Sequence, residues 1–172
     1  MFHRRLVSPV RYHPLGESGP RGVGRERRAR QLAGDKRRTR ISTGNPYEVS
    51  VGYSRAVKVG DHVYVSGTTG LTGDGTLVGE GDAYAQTRQT LETIRWALEQ
   101  AGATMDDIVR YRVYLTRIED TPEVSRALAE TFQPIRPANT LLAVAALADP
   151  RMLVEIDADA VIGSAAPVES GS

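Results

Sequence analysis

Val57 and Val59, then Val63 and Val65, alternate with polar neighbours at period two, and Gly60-Asp61 between the pairs is turn chemistry. The pattern predicts a hairpin made of Arg55–Val59 and His62–Ser66. Gly67 to Asp82 is rich in Gly, Thr and Asp and reads as a loop, with a short strand at Thr76–Val78. From Asp82 to Ala101 the period changes. Tyr84, Thr87, Leu91, Ile94, Leu98 and Ala101 recur at spacings of three and four, one inward stripe of a helix. Asp82 suits its N-cap, and Gly102 suits the position just past its end.

Ile108–Leu115 alternates again, with Val109, Tyr111, Val113 and Leu115 assigned to one face and Arg110, Arg112 and Tyr114 to the other. A second helix is expected from Pro122 to Phe132, with Thr121 as its cap. Asn139–Val144 reads as a buried strand, Ala148–Arg151 as a turn and Leu153–Ile162 as the last strand. The order β-β-α-β-α-β-β predicts an α+β domain with two helices on one face of a mixed sheet. Two helices cover only one face, so self-association is expected to cover the other.

Composition divides the chain. Residues 1–40 hold twelve Lys/Arg against three acids, whereas the remaining residues hold ten against eighteen. The overall +1 therefore averages two unlike objects. Residues 1–39 show no strand or helix period and few large apolar side chains; a disordered basic extension is expected there. It has no apolar stretch of signal-peptide length. An arm for acidic partners, an organellar transit peptide and an upstream extension without function all fit it. The domain is expected over 40–163, with a flexible tail at 164–172. The absence of cysteine excludes disulfides and thiolate catalysis, and a cytoplasmic protein is the simplest reading. The longest apolar run, Leu141–Ala148, is too short to span a bilayer.

The candidate chemistry lies in the last strand. Glu155, Asp157 and Asp159 share one face, opposite Val154, Ile156, Ala158 and Ala160. Three like charges in a row repel unless that face is wet or partnered, or unless one acid lines a site as a base. A line of acids without histidine does not surround an ion, so no metal is expected. His62 reads as structural, and Gly70–Gly75 is not a phosphate loop because no Lys ends it.

Gly52-Tyr-Ser-Arg-Ala-Val57, Gly60-Asp-His-Val-Tyr-Val-Ser-Gly67, Ala101-Gly102, Asp107-Ile-Val-Arg-Tyr-Arg-Val-Tyr-Leu115, Pro137-Ala138 and Val154-Glu-Ile156 follow one another in a set order. In that order and spacing the chain resembles the Rid/YjgF family, the reactive-intermediate deaminases. The resemblance implies a chorismate-mutase-like fold and a homotrimer with sites at its interfaces. It implies hydrolysis of enamines and imines to a carbonyl compound and ammonia without a cofactor. Position by position, it implies that Glu155 handles the attacking water and Ser66 lines the pocket. It also implies that Tyr53 walls the pocket from the neighbouring subunit.

Two positions depart from the family pattern. The arginine that follows Pro-Ala in active members, a bidentate clamp for substrate carboxylate, is here Asn139, and an asparagine frequent in the second helix is Ser125. Arg136, Arg151 and Arg112 are possible replacements for the clamp. The readings this leaves are a hydrolase for an imine other than 2-aminoacrylate, a non-catalytic small-molecule-binding trimer, and an RNA-directed role. The last is disfavoured by the domain's negative charge.

Overall fold

The computed structural model describes residues 37–165. The expected basic extension up to residue 36, and the C-terminal tail from 166, lie outside the described residues. In chain order the elements are β1 (Arg38–Ile41), α1 (Pro46–Val51), β2 (Ala56–Val59), β3 (His62–Thr69), α2 (Ala83–Gln100), β4 (Ile108–Leu115), α3 (Thr121–Phe132), β5 (Ala138–Ala143) and β6 (Val154–Val161). Short 3-10 turns precede β4 and α3. The six strands form one sheet in the order β1-β2-β3-β6-β4-β5. Neighbours are antiparallel except β4 and β5, which are parallel and joined through α3. The class is α+β, as the periodicities predict.

Helix α2 begins where the Asp82 carboxylate accepts from the Ala85 N–H at 2.9 Å. It ends at Gly102, whose φ of 78° lies in the left-handed region. Leu91, Ile94 and Leu98 of α2 are buried against Val63, Val113 and Ile156 of the sheet. Helix α3 lies beside α2 and adds Val124, Leu128 and Phe132; the Phe132 ring stacks on Tyr111 with centroids 4.3 Å apart. Gln86, wholly buried within α2, is fully satisfied. Its amide donates to the Gly79 and Arg151 carbonyls at 3.1 and 2.9 Å and accepts from the Leu153 N–H at 2.8 Å, fixing the approach to β6.

Several expectations are corrected. β1 and α1 were not predicted, and β1 starts at Arg38, inside the span assigned to the extension. Thr76–Val78 is not a strand; only an isolated bridge joins Leu71 and Leu77. Asn139–Val144 is not buried: β5 is a largely exposed edge strand over Ala138–Ala143. Val109 is 41% exposed, because the pairing of β4 with β6 slips by a residue between Ile108 and Arg110 and Ile108 takes the inward place. Asp120, not Thr121, stands at the α3 N-cap, and the Thr121 hydroxyl donates instead to the Ile118 carbonyl.

Asp107 pins the C-terminal end of the domain. Its carboxylate accepts from the Thr104 and Gly163 N–H groups, both at 2.8 Å. Burial favours the neutral acid, but these hydrogen bonds prevail and hold its pKa below the usual range. A depressed folded-state pKa adds stability above the unfolded value of about 3.9, and that stability is lost as pH falls through the folded value. Asp107→Asn should cost about 1–3 kcal/mol at pH 7. The deficit should shrink below about pH 4, as urea melts at both pH values will show.

Candidate functional site

β3 carries one extra residue between Val65 and Thr68 relative to β6. This bulge at Ser66-Gly67 sets the site. It turns the Ser66 hydroxyl toward the Ser54 carbonyl, 2.8 Å away, and leaves its lone pairs free to accept. It also brings Gly67 against the last strand: a Cβ built at Gly67 would lie 1.9 Å from Glu155 Oε1. The missing side chain is the space that the carboxylate occupies.

Glu155 stands on the sheet face away from the helices. Its row-mates are partnered, since Arg112 bridges Asp157 and Asp159 and the Tyr114 hydroxyl donates to Asp157 at 2.8 Å. Among the described residues nothing donates a hydrogen bond to Glu155. Burial raises its pKa; the Arg55 charge opposes that and the Asp157 charge adds to it, with a net shift upward.

Arg55 lies beneath this carboxylate, only 7% exposed. One guanidinium nitrogen donates to the Gly67 carbonyl at 2.7 Å and to the Thr68 hydroxyl at 2.8 Å. The other donates to the Tyr53 hydroxyl at 3.0 Å. Its counter-ion is Glu48, 3.7 Å from Nε and 3% exposed. Glu48 is held ionised below the usual carboxylate range: burial resists, but hydrogen bonds from Ser42 and Thr43 and the Arg55 charge outweigh it. Neither Arg55 nor Glu48 was singled out from the sequence as a site residue.

Tyr53, Arg55, Ser66, Gly67 and Glu155 line one cavity of about 1000 Å3. Tyr47, Val51, Trp96 and Met152 form its apolar walls, and Arg151, paired with Asp149, stands among the residues that line it. The family resemblance assigned Tyr53 to the neighbouring subunit's side; here it shares the cavity with Glu155 of its own chain. Asn139 and Ser125 are elsewhere. They line a shallower hollow with Tyr111, Phe132 and Arg136. Asn139 is in register with Tyr111, whose ring is buried against α3, so it projects from the helix side of the sheet. Glu155 projects from the other side. Of the three arginines weighed for the clamp, Arg112 is committed to Asp157 and Asp159. Arg151 lines the Glu155 cavity, and Arg136 lines the Asn139 hollow with a φ of 52° that non-glycine residues rarely adopt.

Fold and site together define an α+β domain in which a carboxylate on the open sheet face looks into a mixed polar and apolar cavity. The profile of the Endoribonuclease L-PSP family matches residues 43–162. A Streptomyces coelicolor protein described as uncharacterised is 41% identical over 125 residues, 73% of this chain and 92% of its own length. The 3-aminoacrylate deaminase RutC of Acinetobacter baylyi is 38% identical over 104 residues, 60% of this chain and 82% of its own. Among solved structures, a Mycobacterium tuberculosis member of the YjgF/YER057c/UK114 family is 46% identical, with a TM-score of 0.67 over 73% of this chain and 100% of that one. The chain belongs to the Endoribonuclease L-PSP family, the YjgF/Rid group that its sequence resembles.

Proposed function

We propose that this protein hydrolyses a reactive imine, or its enamine tautomer, to a carbonyl compound and ammonia. The observation that carries the reading is Glu155, a half-buried carboxylate that receives no hydrogen bond among the described residues and faces a cavity large enough for a metabolite. The relation to RutC, a 3-aminoacrylate deaminase, supports it.

An iminium carbon is already electrophilic, so the protein's task is to hold it and deliver water. Glu155 takes a proton from water as its oxygen bonds to the carbon, giving a carbinolamine. The same proton returns to nitrogen. Glu155, ionised again, takes the hydroxyl proton of the carbinolamine as the C–N bond breaks, so that ammonia leaves, the carbonyl forms and that last proton passes to solvent or to the departing ammonia. Ser66 orients the substrate by accepting from its N–H. Because the Glu155 pKa is raised, the ionised base is lost at a higher pH than an ordinary glutamate would allow.

The substrate is larger than 2-aminoacrylate. Tyr47, Val51, Trp96 and Met152 offer apolar wall that so small a molecule would not touch, and Asn139 supplies no charge for a carboxylate. Asn139 and Glu155 project from opposite sides of one sheet, so a site that holds both must draw one of them from a second copy, as in the homotrimer that the resemblance implies. Two measurements test the reading. Imines made in situ from a panel of amino acids by an oxidase should be hydrolysed with at least a roughly tenfold preference for aromatic over alanine-derived substrate. Asn139→Arg should shift the preference toward the small acids. Trp96 is the only tryptophan of the chain, so its emission should respond to phenylpyruvate and not to pyruvate. Binding without turnover of any imine would favour the non-catalytic reading instead.

A further inference from the structure

The cavity floor holds a charge that the proposed chemistry does not use. Arg55 is buried, yet its fork is spent on groups that shape the site: the Gly67 carbonyl, the Thr68 hydroxyl and the Tyr53 hydroxyl. Gly67 is the residue whose missing side chain makes room for the Glu155 carboxylate. Arg55 Nε is buried without a hydrogen bond among the described residues, and the Glu48 carboxylate stands 3.7 Å from it. A guanidinium so placed is incompletely neutralised, and its field reaches the next carboxylate on the sheet.

We infer that Arg55 is a positioning residue for Glu155, holding the Gly67 bulge against its carboxylate and, through a charge only partly balanced by Glu48, setting the pH at which Glu155 ionises. The inference rests on the role given to Glu155 above. The other charged or titratable groups that act on Glu155 are Asp157 on its own strand and Tyr114 on β4, while Tyr53, Glu92, Asp149 and Arg151 line the same cavity. Of the charged groups, Arg55 is the one that favours the ionised form of Glu155.

The signs follow from charge. Arg55→Met removes the cation, so Glu155 protonates more readily and the acid limb of the pH–rate profile moves up. At the wild-type midpoint of that limb the rate should fall about threefold or more. Glu48→Gln removes the counter-ion and leaves Arg55 less neutralised, so the limb moves down and the rate below the midpoint rises. Arg55→Lys keeps the charge but not the fork, so the limb stays while turnover drops. A merely structural role would lower the rate at every pH in all three variants and move no limb.

The full-length protein and the three variants are titrated with 13C-labelled glutamate, the Glu155 carboxyl signal being assigned by its loss in Glu155→Gln. This readout needs no turnover. Opposite displacements of the Glu155 titration in Arg55→Met and Glu48→Gln establish the coupling, even if no imine is hydrolysed, in which case the proposed reaction alone falls. An unmoved Glu155 titration in Glu48→Gln overturns the inference, whether or not Arg55→Met folds.

Discussion

Glu155→Gln is expected to lower imine hydrolysis by about 10²- to 10⁴-fold, the usual worth of a positioned acid–base group. The amide keeps the shape and fills the space beside Gly67 but cannot accept the proton of the attacking water. Stability should hold or rise slightly. The wild-type carboxylate is half-buried and receives no hydrogen bond among the described residues, so folding carries a desolvation cost that a neutral amide reduces. The pH dependence follows the same logic. The folded Glu155 pKa lies above its unfolded value, so the group costs stability where the unfolded chain is ionised, and the mutant's advantage should disappear as pH falls below the unfolded value. Rates on the preferred imine, with urea melts at two pH values, check both halves. Full activity in Glu155→Gln would remove this residue from the chemistry.

Much of the fold was legible because it is written in periods. Leu91, Ile94 and Leu98 at helical spacing, and Val154, Ile156, Ala158 and Ala160 at spacing two, are all buried as their patterns require. What could not be read has specific causes. β1 is Arg-Thr-Arg-Ile, in which Ile41 alone is buried, so no alternation is visible. In α1, Tyr47, Val49 and Val51 are exposed and the one buried residue is Glu48, the reverse of an amphipathic helix. The apolar run at Leu141 looks like a core strand but lies at the sheet edge, where a single chain leaves it open. Val109 was lost to a bulge, which alternation cannot show.

The site was legible only in part, for a related reason. Glu155 stood out as one of three acids in a row, and the structure separates it from the others: Arg112 and Tyr114 occupy Asp157 and Asp159, and among the described residues nothing comparable occupies Glu155. No sequence pattern assigns those partners. Arg55 was hidden because a cation before an alternating strand ordinarily points to solvent. The available signal was Glu48, an acid seven residues upstream and flanked by apolar side chains, but linking the two requires knowing that the chain turns back through α1.

The second large effect is expected from Gly67→Ala, and it separates positioning from stability. The added methyl would lie 1.9 Å from Glu155 Oε1 and 2.9 Å from its Cδ. Both atoms belong to the far end of a flexible side chain, so the carboxylate can swing away without moving a strand. Gly67 is not among the positive-φ glycines, so alanine meets no backbone strain there. Unfolding free energy should therefore change by less than about 1 kcal/mol. Turnover should fall about a hundredfold, because displacing a reacting group by around 1 Å costs that much. The 13C signal of Glu155 should move as its carboxylate is pushed from the bulge into the cavity. Glu155→Asp in the Gly67→Ala background, with a side chain one methylene shorter, should recover part of the rate, whereas Glu155→Asp alone should be slower than the wild type. A Gly67→Ala protein with wild-type rates would mean that the bulge does not place the carboxylate, and the base would have to be sought among other cavity residues, Asp149 first.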